Sequence, residues 1–294
     1  KKFFIKLNIV KIMTNKDITI IIVTFKSEDK IDICLNSIDS DIKVIIVENS
    51  NNQNFKSYIE GKYQNVECIL ARDNLGYGKA NNIGLKKAST KYCLVLNPDT
   101  ILGKGAIETF FLSAKKNKNF HIIGPLQTNN EFLKNNNFKD NLHLLETEVV
   151  EGFAMFLNME KFLDIGFFDE NFFLYLEEID LCKRVRDKNG KILIDLKIKI
   201  FHFGGQSVNH TFSHQVELSR NWHWMWSLFY YNKKHFNYFY ALFLVLPKFF
   251  SSIFKIFIYR FILKNKKSEI YSKRLSGLYN GITGKPSWYR PALD

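Results

Sequence analysis

Proline is scarce in this 294-residue chain, with five in all, and cysteine is scarcer, with four. Cys34, Cys68, Cys93 and Cys182 stand at no metal-ligand spacing, and three of them lie inside apolar runs. That pattern argues against a zinc module or a disulfide framework and reads as small buried hydrophobes in a reducing compartment. No run of about 18 uncharged apolar residues occurs, so a conventional spanning helix is not expected. Acid is nearly missing from the last quarter: residues 215–294 hold 13 Lys and Arg against three acids, and so carry ten of the thirteen net positive charges. The rest of the chain is almost neutral, which argues against nucleic-acid binding across it, because that needs a basic stripe. The first residues, KKFFIKLNIVKIM, have no starting Met, and their apolar pieces are broken by Lys6 and Lys11. No small-residue cleavage site follows, so a secretory signal is a poor reading; residues 1–16 read as an N-terminal extension.

What is present is a globular composition, 46% hydrophobic and 24% charged. Residues 18–24, ITIIIVT, are β-branched and uniformly apolar, the pattern of a strand covered on both faces. Helical spacing at 28–39 leads to a second such strand, KVIIVENS (43–50). A short helix around Tyr58, a strand at 66–71, a helix at 78–88 and a strand at 92–97 follow. This alternation predicts a doubly wound, mostly parallel sheet. Beyond it a helix is expected at 105–116, a strand at 121–125 and an Asn-rich loop or hairpin at 127–141. A strand pair or bulged strand is expected at 149–158, one helix over 173–190 and a strand-like run at 191–205.

Two of the core strands end in polar groups, Glu48 in ENS and Asp99 in NPDT. A carboxylate just past a strand can simply cap the next turn. It can equally hold something charged at the carboxyl edge of the sheet, where α/β folds place ligands. Glu177 and Glu178 follow an aromatic run and have no basic residue at i+4, whereas Asp180 has Arg184 there. Apolar surroundings raise a carboxyl pKa and suit a general base, although a solvated acidic helix start explains the same spacing. His202, in FHFGG, is a lone histidine that is either structural or a ligand; with His210 and His214 it hints at zinc, without an HExxH or Cys partner to support it. In RDNLGYGKANNIG (72–84), Gly76 and Gly78 imitate a dinucleotide fingerprint whose third glycine is replaced by Asn81.

Taken in order, IIIVTF, IIVENS, NLGYGKANNIG, LVLNPDT, GFAMF, GFFDENFFLYLEEIDLCKRVRDKNGKI and HFGGQS resemble the family 2 glycosyltransferases over about residues 17–232. Within them the likeness is to the bacterial rhamnosyltransferase-like branch. The resemblance implies a GT-A fold and inverting transfer of a sugar from a nucleoside-diphosphate donor, such as dTDP-rhamnose. The acceptor it implies is lipid-linked or a glycan, in cell-surface polysaccharide synthesis. It further implies that Glu178, with Glu177 beside it, is the base, and that Thr24, Glu48, Asn74, Gly76 and Asn97 contact the donor. Asp99 and His202 would hold Mg2+ or Mn2+. Asn97 stands where the family's metal motif has its first acid, which removes one charge, and Glu178 stands where the usual residue is Asp. A catalytically degenerate, membrane-bound sugar-nucleotide or partner-binding module is the competing reading. A nucleotidyltransferase would want a Gly-rich basic loop after the first strand, and TFKSED has no glycine.

Residues 233–294 read as a basic, aromatic helical region. Between 236 and 263, Lys248, Ser252, Lys255 and Tyr259 share one helical face and the other faces are Phe, Ile and Leu, with KNKK following. That predicts an amphipathic helix on a membrane surface with its cations toward lipid headgroups, on the cytoplasmic face of the inner membrane. Packing on the protein's own core or on a second copy in a homodimer is the alternative.

Overall fold

The computed structural model describes residues 13–126, 143–203 and 213–290. Its centre is an eight-stranded sheet. β1 (Ile18–Thr24) is buried along its whole length and runs parallel to β2 (Lys43–Glu48) and β4 (Tyr92–Leu96). β3 (Val66–Leu70) lies parallel outside β2. The crossovers are α1 (Glu28–Asn36), α2 (Gln53–Lys62) and α3 (Tyr77–Lys87). Alternate residues of β1 feed two different cores, Ile20 and Ile22 one and Ile21 and Val23 the other. A strand sandwiched in this way reads as a continuous apolar run, as this one does.

The second half adds β5 (Thr100–Leu102), α4 (Ala106–Lys116), β6 (Phe120–Pro125), β7 (Leu144–Glu146) and β8 (Ala154–Asn158). α5 (Glu177–Asp187), β9 (Lys191–Asp195) and β10 (Ile200–His202) complete it. The strand order is β3-β2-β1-β4-β8-β6-β9-β7, with β8 antiparallel to both neighbours and β7 antiparallel to β9. β5 and β10 form a separate two-stranded ribbon. On one side of the sheet Phe156 stacks on Tyr92, Phe110 and Phe120 at centroid distances of 5.0, 4.9 and 5.7 Å. The four cysteines are buried and unpaired, as the sequence led us to expect. The expected α/β fold with a mostly parallel sheet is the one observed.

Three expected elements differ. The helix anticipated over 173–190 starts only at Glu177, because Tyr175 and Leu176 adopt φ of 70° and 68° and cannot join it. Residues 173 and 174 are instead tied elsewhere: the Phe173 carbonyl accepts from Tyr77 N and the Leu174 carbonyl from Ser227 Oγ. The strand anticipated at 149–158 begins at Ala154, with Gly152 in a turn whose carbonyl accepts from the Tyr77 hydroxyl. The run 191–205 breaks into two strands of different sheets, because Asp195 folds the chain back by accepting from the amides of Lys197 and Ile198. The Asn-rich stretch at 127–141, the 204–207 part of the HFGGQS motif and His210 lie outside the described residues.

Three helices close the chain: α6 (Ser213–His235), α7 (Tyr238–Phe261) and α8 (Asn265–Ile282). α6 runs straight through the 232/233 boundary drawn from sequence. A Cβ on Gly277 of α8 would sit 2.3 Å from the Trp222 carbonyl oxygen, so only glycine lets α8 approach α6 this closely. α7 is 24 residues long and, by length and composition alone, is apolar enough to cross a membrane. Part of its polar face packs on α8, while Lys248 stays exposed. Ser252 is buried, the Lys255 ammonium donates to the Tyr271 hydroxyl at 3.2 Å, and Tyr259 stacks on Tyr271 at 5.5 Å. These side chains turn inward because α8 offers them a ring and a hydroxyl, and the phenylalanines are left outward.

Truncating Phe156 to alanine removes the centre of the aromatic stack. We expect a loss of about 3–5 kcal/mol in urea-induced unfolding; a loss below about 1 kcal/mol would show that the stack does not organise the core.

Candidate active site

The parallel register sets Thr24 opposite Glu48, so the chain leaves β1, β2 and β4 at the same edge of the sheet. A cleft of about 480 Å³ opens there, lined in part by Asn49, Asn74, Gly76, Asn97, Asp99 and His202. Asp99 is 2% exposed, yet neither carboxylate oxygen has a hydrogen-bond partner among the described residues. A capping aspartate would accept from backbone amides, so the capping alternative fails. A buried carboxylate without hydrogen-bond donors is costly and is relieved by a cation. The β5–β10 ribbon brings His202 beside it: Thr100 pairs with His202, and the imidazole Nε2 lies 3.4 Å from Asp99 Oδ1 and 3.4 Å from Asn97 Nδ2. The ring is held flat against Phe153 at 4.6 Å. The Asp99 carboxylate suits a hard divalent cation such as Mg2+ or Mn2+, and the imidazole beside it is a borderline nitrogen ligand that Mn2+ accepts more readily than Mg2+. No cluster of three or more ligating side chains occurs among the described residues.

The opposite wall is a glycine loop. Asn74 Oδ1 accepts from Asn49 Nδ2 and from Gly76 N, and Asn49 Oδ1 accepts from Leu75 N. Gly76 has φ 80° and ψ 178°, and a Cβ there would meet the Phe173 carbonyl oxygen at 2.2 Å. Phe173 is in turn covered by Arg290, whose guanidinium carbon lies 3.5 Å from the ring centroid, and it packs on His223 at 4.4 Å. Burial lowers Arg290 to about 10 and His223 to about 3. Both therefore keep one charge state at neutral pH, Arg290 cationic and His223 neutral.

Two expected donor contacts are placed differently from the rest. Glu48 is buried and does not line the cleft: its carboxylate accepts from Ser50 N and Oγ and from Asn52 N, closing the β2–α2 turn. Thr24 also lies behind the wall, with its carbonyl accepting from Asn49 N. Glu48 and Thr24 thus position Asn49, which does line the cleft.

Glu177 and Glu178 open α5 without lining the cleft itself. Glu177 is 4% exposed, and burial, with Glu178 adding repulsion, holds its pKa well above the ordinary range. Glu178 is half-buried; burial again raises its pKa, and the charge on Glu151 raises it further. Its side chain packs on the Gly152 turn, which is tethered to the cleft by Tyr77. Of the two, Glu178 has the exposure that a proton acceptor for a substrate hydroxyl needs. Sequence reasoning missed Glu151, which interacts electrostatically with His202 and Glu178, and Arg220, which lines the cleft from α6. The VVEGF and LSRNW segments give no local signal for either, because both depend on distant chain. His214 pairs with Glu269 at 2.9 Å, away from Asp99, and the zinc hint finds no support among the described residues.

Replacing Gly76 with alanine forces a side chain into a left-handed, occupied position. We expect a destabilisation of about 1–3 kcal/mol, read as a lowered melting temperature, together with loss of nucleotide binding by calorimetry. Unchanged melting and binding would show that the Gly76–Phe173 contact is dispensable.

Comparison with known proteins gives the same picture. A hexosyltransferase of low-salt glycan biosynthesis, Agl10 of Haloferax volcanii, is 27% identical over 195 residues, covering 59% of this chain. The chain spans 62% of that relative's length. Among solved structures, the mannosyltransferase PcManGT of Pyrobaculum calidifontis, crystallised with GDP-Man and Mn2+, superposes with a TM-score of 0.56 at 10% identity, covering 92% of this chain and 88% of its own. TarS 1–349 of S. aureus does so with a TM-score of 0.53 at 13% identity, covering 93% of each chain. These likenesses carry the fold, which is GT-A-like. Residues 19–181, more than half of the chain, match the family described as Glycosyl transferase family 2, and to that family the chain belongs.

Proposed function

We propose that this protein is an inverting glycosyltransferase that moves a sugar from a nucleoside-diphosphate donor to a hydroxyl of a lipid-linked or glycan acceptor. The observation that carries the proposal is Asp99, buried with neither oxygen hydrogen-bonded among the described residues and with the His202 imidazole 3.4 Å away at the mouth of the cleft. Asn49, Asn74 and Gly76 form the wall against which the nucleotide lies, and Arg220 supplies positive charge to the diphosphate. Asp99 and His202 would hold Mg2+ or Mn2+, which would supply Lewis-acid stabilisation to the departing diphosphate. Glu178 takes the acceptor proton as the new glycosidic bond forms on the face opposite the leaving group. The sequence resemblance puts dTDP-rhamnose first among donors and a cell-surface polysaccharide first among products. An acceptor on a lipid carrier accords with the exposed phenylalanines of α7, and this reading puts the enzyme at the cytoplasmic face of a membrane.

Asp99→Ala should abolish the thermal stabilisation that a matching nucleotide sugar and Mn2+ give the wild-type protein. A stabilisation that survives the substitution would dismiss Asp99 as the metal ligand. Glu178→Gln should keep donor binding and lower kcat by about 10²–10⁴-fold; an unaltered kcat would remove Glu178 from the chemistry.

The raised pKa of Glu178 also sets a pH dependence. A base must be ionised, so the acidic limb of the rate should lie above the ordinary glutamate value of about 4.3. For stability the sign is opposite. The neutral carboxyl is favoured in the fold, so its contribution is complete below about pH 4.3 and is lost as pH rises through the raised folded value. Glu178→Gln should flatten that decline in a series of melting curves taken at increasing pH, and an unchanged decline would show that Glu178 does not titrate there.

A further inference from the structure

The outward phenylalanines of α7 fall on one stripe: Phe239, Phe243, Phe250, Phe254, Phe257 and Phe261 follow helical spacing, and Phe261 is 90% exposed. The opposite face of the same helix, turned toward α8, holds something the transferase reading does not use. A crevice of about 310 Å³ is lined there by Lys248, Ser251, Ser252, Lys255, Tyr271 and Arg274. It lies at Pro247, which cannot donate to the helix. Three cations share this space, and no carboxylate stands within ion-pair distance of any of them among the described residues; the nearby Glu269 is taken by His214. Arg274 spends one nitrogen on Asn221, 3.1 Å away, while its Nε is buried and unpartnered. Lys255 reaches only the Tyr271 hydroxyl and ring. Mutual repulsion among uncompensated cations in one crevice is relieved by an anion, and a guanidinium edge with two ammoniums and hydroxyls matches a phosphate group.

We propose that the α7–α8 crevice binds the phosphate of an anionic membrane lipid. The assignment to a lipid rests on the reading of α7 as a membrane-surface helix. An interfacial helix buries its apolar face about 5–10 Å below the headgroup boundary. The crevice, about one helix diameter of 10 Å above the phenylalanines, then lies among the headgroups. Crossing the bilayer instead would carry Lys273 and Arg274 of the packed α8 into hydrocarbon. The stripe therefore gives adhesion to any bilayer, and the crevice gives preference for an anionic one.

Flotation of the full chain with phosphatidylcholine vesicles, with and without phosphatidylglycerol, tests this. The wild-type protein should bind both and favour the anionic vesicles. Lys248→Gln/Lys255→Gln/Arg274→Gln should lose at least about ten-fold of that preference, retain binding to phosphatidylcholine, and still bind nucleotide sugar. The equally discharged Lys264→Gln/Lys266→Gln/Lys267→Gln variant should lose less; equal losses would mean diffuse attraction and overturn the site. Lys248 is exposed, so Lys248→Gln alone should also weaken the preference if the triple variant fails to fold. Phe250→Ser/Phe254→Ser should abolish binding to both vesicles. Binding unaffected by that change, or a dimer in sedimentation that hides the stripe and no vesicle binding, would overturn the membrane reading beneath it while leaving the transferase reading intact. Inorganic phosphate alone raising the melting temperature of the wild-type protein but not of the crevice variant, with no lipid preference, would assign the crevice to a soluble anion and overturn the lipid.

Discussion

The arrangement of the site depends on a single buried carboxylate, that of Asp180. It is fully buried and takes Arg184 Nε at 2.8 Å, Lys234 Nζ at 2.6 Å and His235 Nε2 at 2.8 Å. Arg184 lies on the same helix, but Lys234 and His235 come from the far end of α6. The cluster therefore fixes α5, which begins with Glu177 and Glu178, against α6, which carries Arg220 into the cleft. Lys234 also reaches Asp169 at 2.7 Å, extending the bond to the loop before α5. A buried charge so fully compensated confers orientation more than net stability. What it orients here is the Glu177–Glu178 pair relative to the Arg220 side of the cleft.

The sheet was legible in the sequence because burial on both faces writes an unbroken apolar run, and ITIIIVT has no other stable use. Asp99 was legible as a question, and the answer came from its surroundings, since no spacing rule reports that a carboxylate lacks donors. The start of α5 was misplaced because FLYLEE has good helical periodicity. The left-handed residues Tyr175 and Leu176 are imposed by tertiary bonds from Tyr77 and Ser227, which local propensity does not contain. Arg220, Arg290 and Glu151 were invisible for the same reason, their partners being far along the chain. Arg184 was found because its partner is four residues away, whereas Lys234, 54 residues from Asp180, was not.

α7 shows how a correct pattern can leave a neighbour unread. The sequence separates a polar face from an aromatic one, and water would ordinarily take the polar face. α8 takes it instead, through Tyr271, and the aromatic face is left without a protein partner among the described residues. Amphipathicity gives the existence of two faces; the neighbouring helix decides which one is the outside.

The contact of Arg290 with Phe173, and with the Asn74 carbonyl at 3.3 Å, joins parts of the chain 216 residues apart in the second case. Ribosomal synthesis delivers the glycine loop 216 residues before this clasp. A growing chain can therefore complete its sheet, with Asp99 in place, long before the loop on the opposite wall is secured. The nascent protein passes through an interval in which its sheet is folded and its glycine loop is still unclasped.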